Sequence, residues 1–165
     1  MTPQYDQVDG ETELVAGILD YLGTHKDVKC IIKCKNLEEI QKYHDLLSQS
    51  FTTASVHERL EIDETQNKFK RVGPALKVEG LRVIIHQHKL DEGIDIPEAK
   101  LLILTYELGS GRELVQAVGR VVRRFGDVQP LVIDLSGGAN EGMWEGYKNL
   151  MTISLVVVHQ ILLSH

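Results

Sequence analysis

Between Arg112 and Arg124 the chain sets an amide, a glycine and two guanidiniums at helical spacing: Gln116, Gly119, Arg120 and Arg123. At about 100° of rotation per residue these four fall on one side of a helix. Leu114, Val115, Ala117, Val118, Val121 and Val122 share the opposite, apolar arc, which can dock on a sheet. Each guanidinium offers a rigid fork of donors that matches phosphate oxygens, and the glycine lets another group approach the backbone closely. Stabilising a phosphoryl group is the chemistry such a row could do. The same spacing also suits a solvated basic face on an ordinary amphipathic helix.

The turn upstream adds to the pattern. Gly93, Asp95 and Pro97 form G-x-D-x-P after Val83–Ile85, a β-branched run that reads as a buried strand. Glycine permits a positive φ, and proline stiffens the exit and donates no hydrogen bond. Asp95 between them offers a carboxylate that could accept from a sugar hydroxyl or hold an arginine.

The elements that must position these groups alternate. Glu11 to Leu22 carries apolar residues at helical spacing, with Gly23 as its stop, and Val28 to Lys33 is a strand. Cys34 to Asn36 makes a turn into a helix from Leu37 to Ser48. Thr52 to Val56 is a second strand, Asp63 to Val72 reads as a helix, and Gly73-Pro74 breaks the chain. Leu81 to His86, Leu101 to Tyr106 and Leu131 to Leu135 are three further strands, the last with Asp134 inside an apolar run. Ser136-Gly137-Gly138 ends that strand, and Trp144 to Leu150 is helical. Residues 1–9 read as a flexible lead, and 151–165, without Asp, Glu, Lys or Arg, as an apolar segment that packs on the sheet or on a partner. This rhythm predicts an α/β fold with a mostly parallel sheet covered by helices on both faces. Ligands of such sheets gather at the carboxyl ends of the strands. Cys34–Asn36, His57, His86–Lys89 and Gly93–Asp95 should therefore crowd along one rim.

Composition sets limits on function. A chain of 165 residues is one domain on ordinary length grounds. Its net charge of −6 excludes a generally basic nucleic-acid binder, so such contacts must come from a local patch. Cys30 and Cys34 share a strand, too far apart for a disulfide, which predicts a reduced, intracellular setting. No zinc-ligand spacing follows them, no metal site is expected, and no run is long enough to span a bilayer. G-x-x-x-x-G-K-[ST], the loop that cradles nucleotide phosphates, is absent, and so is a D-E-x-H or D-E-x-D magnesium-binding run. A Rossmann-like binder is disfavoured because no G-x-G-x-x-G follows the first strand.

G-x-D-x-P, a strand, then Q-x-x-G-R-x-x-R resembles motifs V and VI of superfamily 2 DEAD/DEAH-like helicases and translocases; the strand, turn and helix from Val28 to Ser48 resemble motif IV. The resemblance covers about Val28 to Leu135. It implies a RecA-like three-layer sandwich, the second such domain of a motor whose first domain holds ATP and Mg²⁺. Closure of the second domain over the γ-phosphate couples ATP hydrolysis to movement along a nucleic acid. On this resemblance Arg120 and Arg123 match arginine fingers, and Gln116 would touch the γ-phosphate or its attacking water. Asp95 would sense the nucleotide sugar or tie down an arginine, and Gly93 and Gly119 would lie against the nucleotide. Lys35, Asn36, His57, Gln87, His88 and Lys89 would touch backbone phosphates, contacts that position a strand without reading sequence. For His57 and His88 an ordinary imidazole is an equal reading.

The L-x-E-G-x-D and Q-x-x-G-R-x-x-R forms look more like DNA-directed members, such as restriction-enzyme translocases and repair helicases, although RNA sensors share the Q form. The implied enzyme is therefore part of a larger ATP-dependent helicase, inactive as this chain alone. It needs an N-terminal RecA-like domain in cis or trans. The rival expectation is a non-catalytic RecA-like interaction module. Its acidic balance and apolar 151–165 segment fit that rival; the intact finger pattern argues against it.

Overall fold

Strands with unbroken apolar runs need cover on both faces. The computed structural model, which describes residues 2–88 and 95–150, shows how the chain supplies it. In order the elements are β1 (Gln4–Gln7), α1 (Glu11–Thr24), β2 (Lys29–Lys33), α2 (Leu37–Leu47), β3 (Thr53–Val56), a 3₁₀ turn (Glu64–Gln66), β4 (Lys68–Phe69), α3 (Val72–Ala75), β5 (Val83–His86), β6 (Ala99–Leu104), α4 (Gly111–Gly119) and β7 (Leu131–Asp134). Residues 139–150 form a further helix, α5. The seven strands pair in the order β1-β7-β6-β2-β5-β3-β4, and every paired ladder is parallel. This is the expected three-layer α/β sandwich.

Alternation along the strands divides the core in two. Ile31, Ile84, Leu102 and Val132 face Leu114, Ala117 and Val118 of α4 and Val72 and Ala75 of α3. Cys30, Ile32, Val83, Ile103 and Ile133 face Leu14, Ile18 and Leu22 of α1 and Ile40, Tyr43 and Leu47 of α2. Helix α1 sits close on the sheet: a Cβ added at Gly17 would come within 3.0 Å of Ile133 Cδ1. Helix α2 starts cleanly because the Asn36 side chain accepts from the Glu39 amide at 2.9 Å. Cys30 and Cys34 are both buried free thiols.

Several features differ from the sequence-based expectation. The lead 1–9 contains a strand: β1 pairs residue for residue with β7, from Gln4 against Leu131 to Gln7 against Asp134. The helix expected over Asp63 to Val72 is a reversing turn. Asp63 accepts from the amides of Thr65 and Gln66, and Asn67 takes a left-handed φ of 55°, so Lys68 and Phe69 swing back as an edge strand beside Ser55 and Val56. Gly73-Pro74 lies inside α3, where a proline in the first turn costs no intrahelical hydrogen bond. Gly23, too, is inside its helix, which runs one residue further. Among the described residues no helix is long and apolar enough to cross a membrane. Lys89, Gly93 and the segment 151–165 lie outside the described residues.

Strand registers align one rung of residues across the sheet at its carboxyl ends: Gln7, Asp134, Leu104, Lys33, His86, Val56 and Phe69. Lys33, His86 and Asp134 on that rung are buried.

Candidate nucleotide and nucleic-acid site

Helix α4 is fixed at its start by two independent sets of contacts. Ser110 caps it, accepting from the Glu113 amide at 3.2 Å, and Glu113 Oε2 accepts in return from the Gly109 amide at 3.2 Å. From the other side, buried Asn140 on α5 accepts from the Leu108 amide at 2.9 Å and donates to Tyr106 O at 2.9 Å and to Asp134 Oδ1 at 3.1 Å. Asp134 also takes the Ser136 amide at 2.8 Å and hydroxyl at 2.7 Å. The acid inside an apolar strand thus organises the loop that launches the arginine helix.

The helix ends earlier than its periodicity predicts. Arg120 is its C-cap, and Val121 follows in a tighter turn, with its amide on Val118 O at 3.0 Å. Buried Lys100, projecting from β6, explains the stop. Its ammonium donates to Val121 O at 3.4 Å and to Arg123 O, taking carbonyls that no continuing helix supplies with donors. Burial lowers the Lys100 pKa. Arg123 therefore leaves the helical row, and its guanidinium pairs with the Asp95 carboxylate. Of the two roles open to Asp95 from sequence, the structure displays the arginine partner. Gln116 is exposed on α4, and Arg120 and Gly119 are half-buried at its end. A Cβ added at Gly119 would meet no heavy atom within 4 Å.

Behind this arc, His86 is buried at the end of β5. Burial, with the nearby charges of Lys33, His88 and Arg120, drives its pKa well below the ordinary histidine value. The fold thus holds this imidazole neutral beneath a cationic rim.

Of the groups expected to meet a nucleic acid, those described, Lys35, Asn36, His57, Gln87 and His88, gather at the carboxyl rim, but two of them are occupied with each other. His57 Nδ1 accepts from the Arg59 amide at 3.0 Å, which leaves Nε2 to donate to Gln87 Oε1 at 3.0 Å. Gln87 Nε2 donates to Lys35 O at 2.6 Å. Both ring nitrogens of His57 and both ends of the Gln87 amide are engaged within the protein. Asn36 Oδ1 is likewise engaged, on α2. Among the described members of the set, Lys35, Asn36 and His88 are exposed. Sequence reasoning missed Lys33, Glu113, Lys100 and Asn140, whose side chains hold the two halves of the site. The one available signal was a lysine set directly against apolar strand residues, as in Ile31-Ile32-Lys33 and Lys100-Leu101-Leu102.

Cationic and amide donors dominate this rim, so it suits anionic phosphates rather than a metal ion. Among the described residues no group of three or more His, Cys, Asp or Glu could hold a metal.

Known proteins resemble the chain in sequence and in shape. The model of the family described as helicase conserved C-terminal domain matches residues 13–125. A protein of the Sulfolobus islandicus filamentous virus (isolate Iceland/Hveragerdi), provisionally named helicase 22, is 30% identical over 95 residues, which are 57% of this chain and 16% of that protein. Among solved structures, domain 2 of the DEAD-box helicase Mss116p, bound to an RNA duplex, superposes with a TM-score of 0.63 at 12% identity, over 82% of this chain and 55% of that one. The Escherichia coli DEAD-box protein SrmB, bound to the regulator of ribonuclease activity A, gives 0.60 at 16% identity, over 87% and 82%. The C-terminal domain of the DEAD-box protein Dbp5 gives 0.62 at 16% identity, over 92% and 85%. The chain thus spans about a sixth of the viral relative and about half of the Mss116p chain.

Proposed function

The chain belongs to the helicase conserved C-terminal domain family, and from that premise we propose that it serves as the second RecA-like domain of an ATP-dependent helicase or translocase. What carries the reading is the disposition of Gln116 and Arg120 on α4 and of Arg123 just beyond it, with Arg123 paired to Asp95. In this reading Arg120 and Arg123 meet the negative charge that develops on the transferring phosphoryl group. Gln116 contacts the γ-phosphate or its water, and Gly119 gives the nucleotide room. Asp95 holds Arg123 until the phosphate competes for it. Phosphate cradling and magnesium binding fall to a first RecA-like domain, because this chain lacks the motifs for both. Lys35 and His88 contact the nucleic-acid backbone directly, while His57, Gln87 and Asn36 hold that edge in shape. Lys89 and Gly93 keep the roles their motif positions imply.

DNA is the favoured polymer on motif form. The RNA duplex carried by Mss116p domain 2 makes RNA the necessary second arm of any test. A second reading, a non-catalytic interaction module, draws on the net charge of −6 and on the protein partner carried by SrmB.

The deciding experiment measures ATP hydrolysis by the chain alone and after addition of a first RecA-like domain, with matched single-stranded DNA and RNA across a salt series. The motor reading expects no turnover alone, and turnover on addition that depends on Arg120 and Arg123. Turnover by the isolated chain, or none in any combination, would overturn it; binding to a protein without any to nucleic acid would favour the module.

A further inference from the structure

Lys33 is a lysine with no exposed surface, at the carboxyl end of the central strand. A buried ammonium needs close partners that offset its lost hydration. Two of them lie on opposite sides of the site. Its Nζ donates to Gln87 O at 2.8 Å and stands 3.2 Å from Glu113 Oε1. Gln87 belongs to the rim that holds Lys35 and His57, and Glu113 to the first turn of α4, where it also secures the Gly109 amide. One charge therefore joins two surfaces that the proposed function assigns to different ligands.

We infer that Lys33 is a positioning residue that locks the nucleic-acid edge and the arginine helix into one unit, so that displacing either end displaces the other. The inference rests on the functional reading above for the meaning of the two ends, but not for the junction itself. Lys33 touches neither ligand. Its ammonium couples them because Gln87 O and Glu113 cannot both keep their donor if they separate. The coupling is a property of the ammonium and these two acceptors, not of the apolar stem.

The test uses the intact chain. Backbone amide NMR signals read each end: the Arg59 amide reports His57 at the rim, and the Gly109 amide reports Glu113 at the helix. Glu113→Gln should shift the Arg59 signal, and Lys33→Met, which removes the shared donor, should shift both the Arg59 and the Gly109 signals. Glu79→Gln, on the exposed turn before β5, should move neither. If Glu113→Gln leaves the Arg59 signal in place, or Lys33→Met moves at most one of the two, the junction is refuted; should one variant fail to fold, the other still decides. In binding, Glu113→Gln should weaken a fluorescent single-stranded oligonucleotide by roughly three- to thirtyfold, although Glu113 lies on the arginine helix. Unchanged affinity would also refute the junction. No oligonucleotide binding by the unsubstituted chain would instead overturn the functional reading, which the amide signals do not depend on.

Discussion

Arg123 donates from Nη1 to Asp95 Oδ1, so the residue beyond the end of α4 is tied to the segment that leads into β6. Both side chains are substantially exposed, and an exposed ion pair contributes at most about 1 kcal/mol. The tether orients the guanidinium while contributing little to stability, and in the proposed motor a phosphate would displace it. Arg123→Ala should leave thermal stability nearly unchanged. In the two-domain motor it should lower turnover by about 10³-fold or more, the scale of an arginine finger, with ATP binding mostly retained. Calorimetry and a steady-state assay check the two halves, and near-normal turnover would remove Arg123 from the finger role.

Gly119 has open space where a Cβ would stand, so the fold does not require the glycine. Gly119→Ala should hold or raise the melting temperature, since alanine favours a helix over glycine by about 0.5–1 kcal/mol. It should nevertheless raise the KM for ATP in the two-domain motor. A variant that is both stable and fully active would mean that nothing approaches this backbone closely.

Two buried histidines set an acid limit on stability. His86 and His44 both have pKa values lowered, chiefly by burial, with the charge of Lys33 next for His86 and that of Lys68 for His44. Below the ordinary value of about 6.5 the unfolded chain binds protons that the folded chain refuses, so stability is full above that pH and falls as pH drops. The slope approaches about 1.4 kcal/mol per pH unit for each histidine that stays neutral in the fold. Urea midpoints from about pH 7.5 to 5.5 measure it, and His86→Asn should flatten the curve. A flat curve for the unsubstituted chain would contradict the burial argument.

Lys100 caps the turn that carries Arg123. Lys100→Met keeps the stem but leaves two carbonyls without their donor, and should cost about 1–3 kcal/mol. Turnover in the two-domain motor should fall as well, because the backbone bearing Arg123 loosens. A gain in stability on urea unfolding would show that dehydrating the ammonium costs more than its two hydrogen bonds return.

Most of the sheet was legible because its strands are continuously apolar: Cys30 to Ile32, Val83 to Ile85 and Leu101 to Leu104 can hardly be anything but covered strands. What escaped were the two edges. Strand β1 is Gln-Tyr-Asp-Gln and β4 is Lys-Phe, and each becomes a strand only through its neighbour's backbone, a property no local pattern encodes. The early end of α4 escaped for a similar reason, since Lys100 captures its last carbonyls from a different element. At the site, residue types and order gave the cluster. They did not give its division of labour, in which His57 and Gln87 satisfy each other and only some of the row faces outward.

Strand β1 also has a temporal consequence. Gln7 and Asp134 stand side by side, yet 127 positions separate them. On a ribosome adding about 5–20 residues per second, the strand waits roughly 6–25 seconds for its neighbour to be made. The ladder β2-β5-β3-β4 needs nothing beyond Phe69 and His86 and can pair first. Fastening β1 therefore comes after that ladder can form, and a newborn chain halted before Leu131 carries an unpaired segment that a chaperone or a second nascent chain could seize.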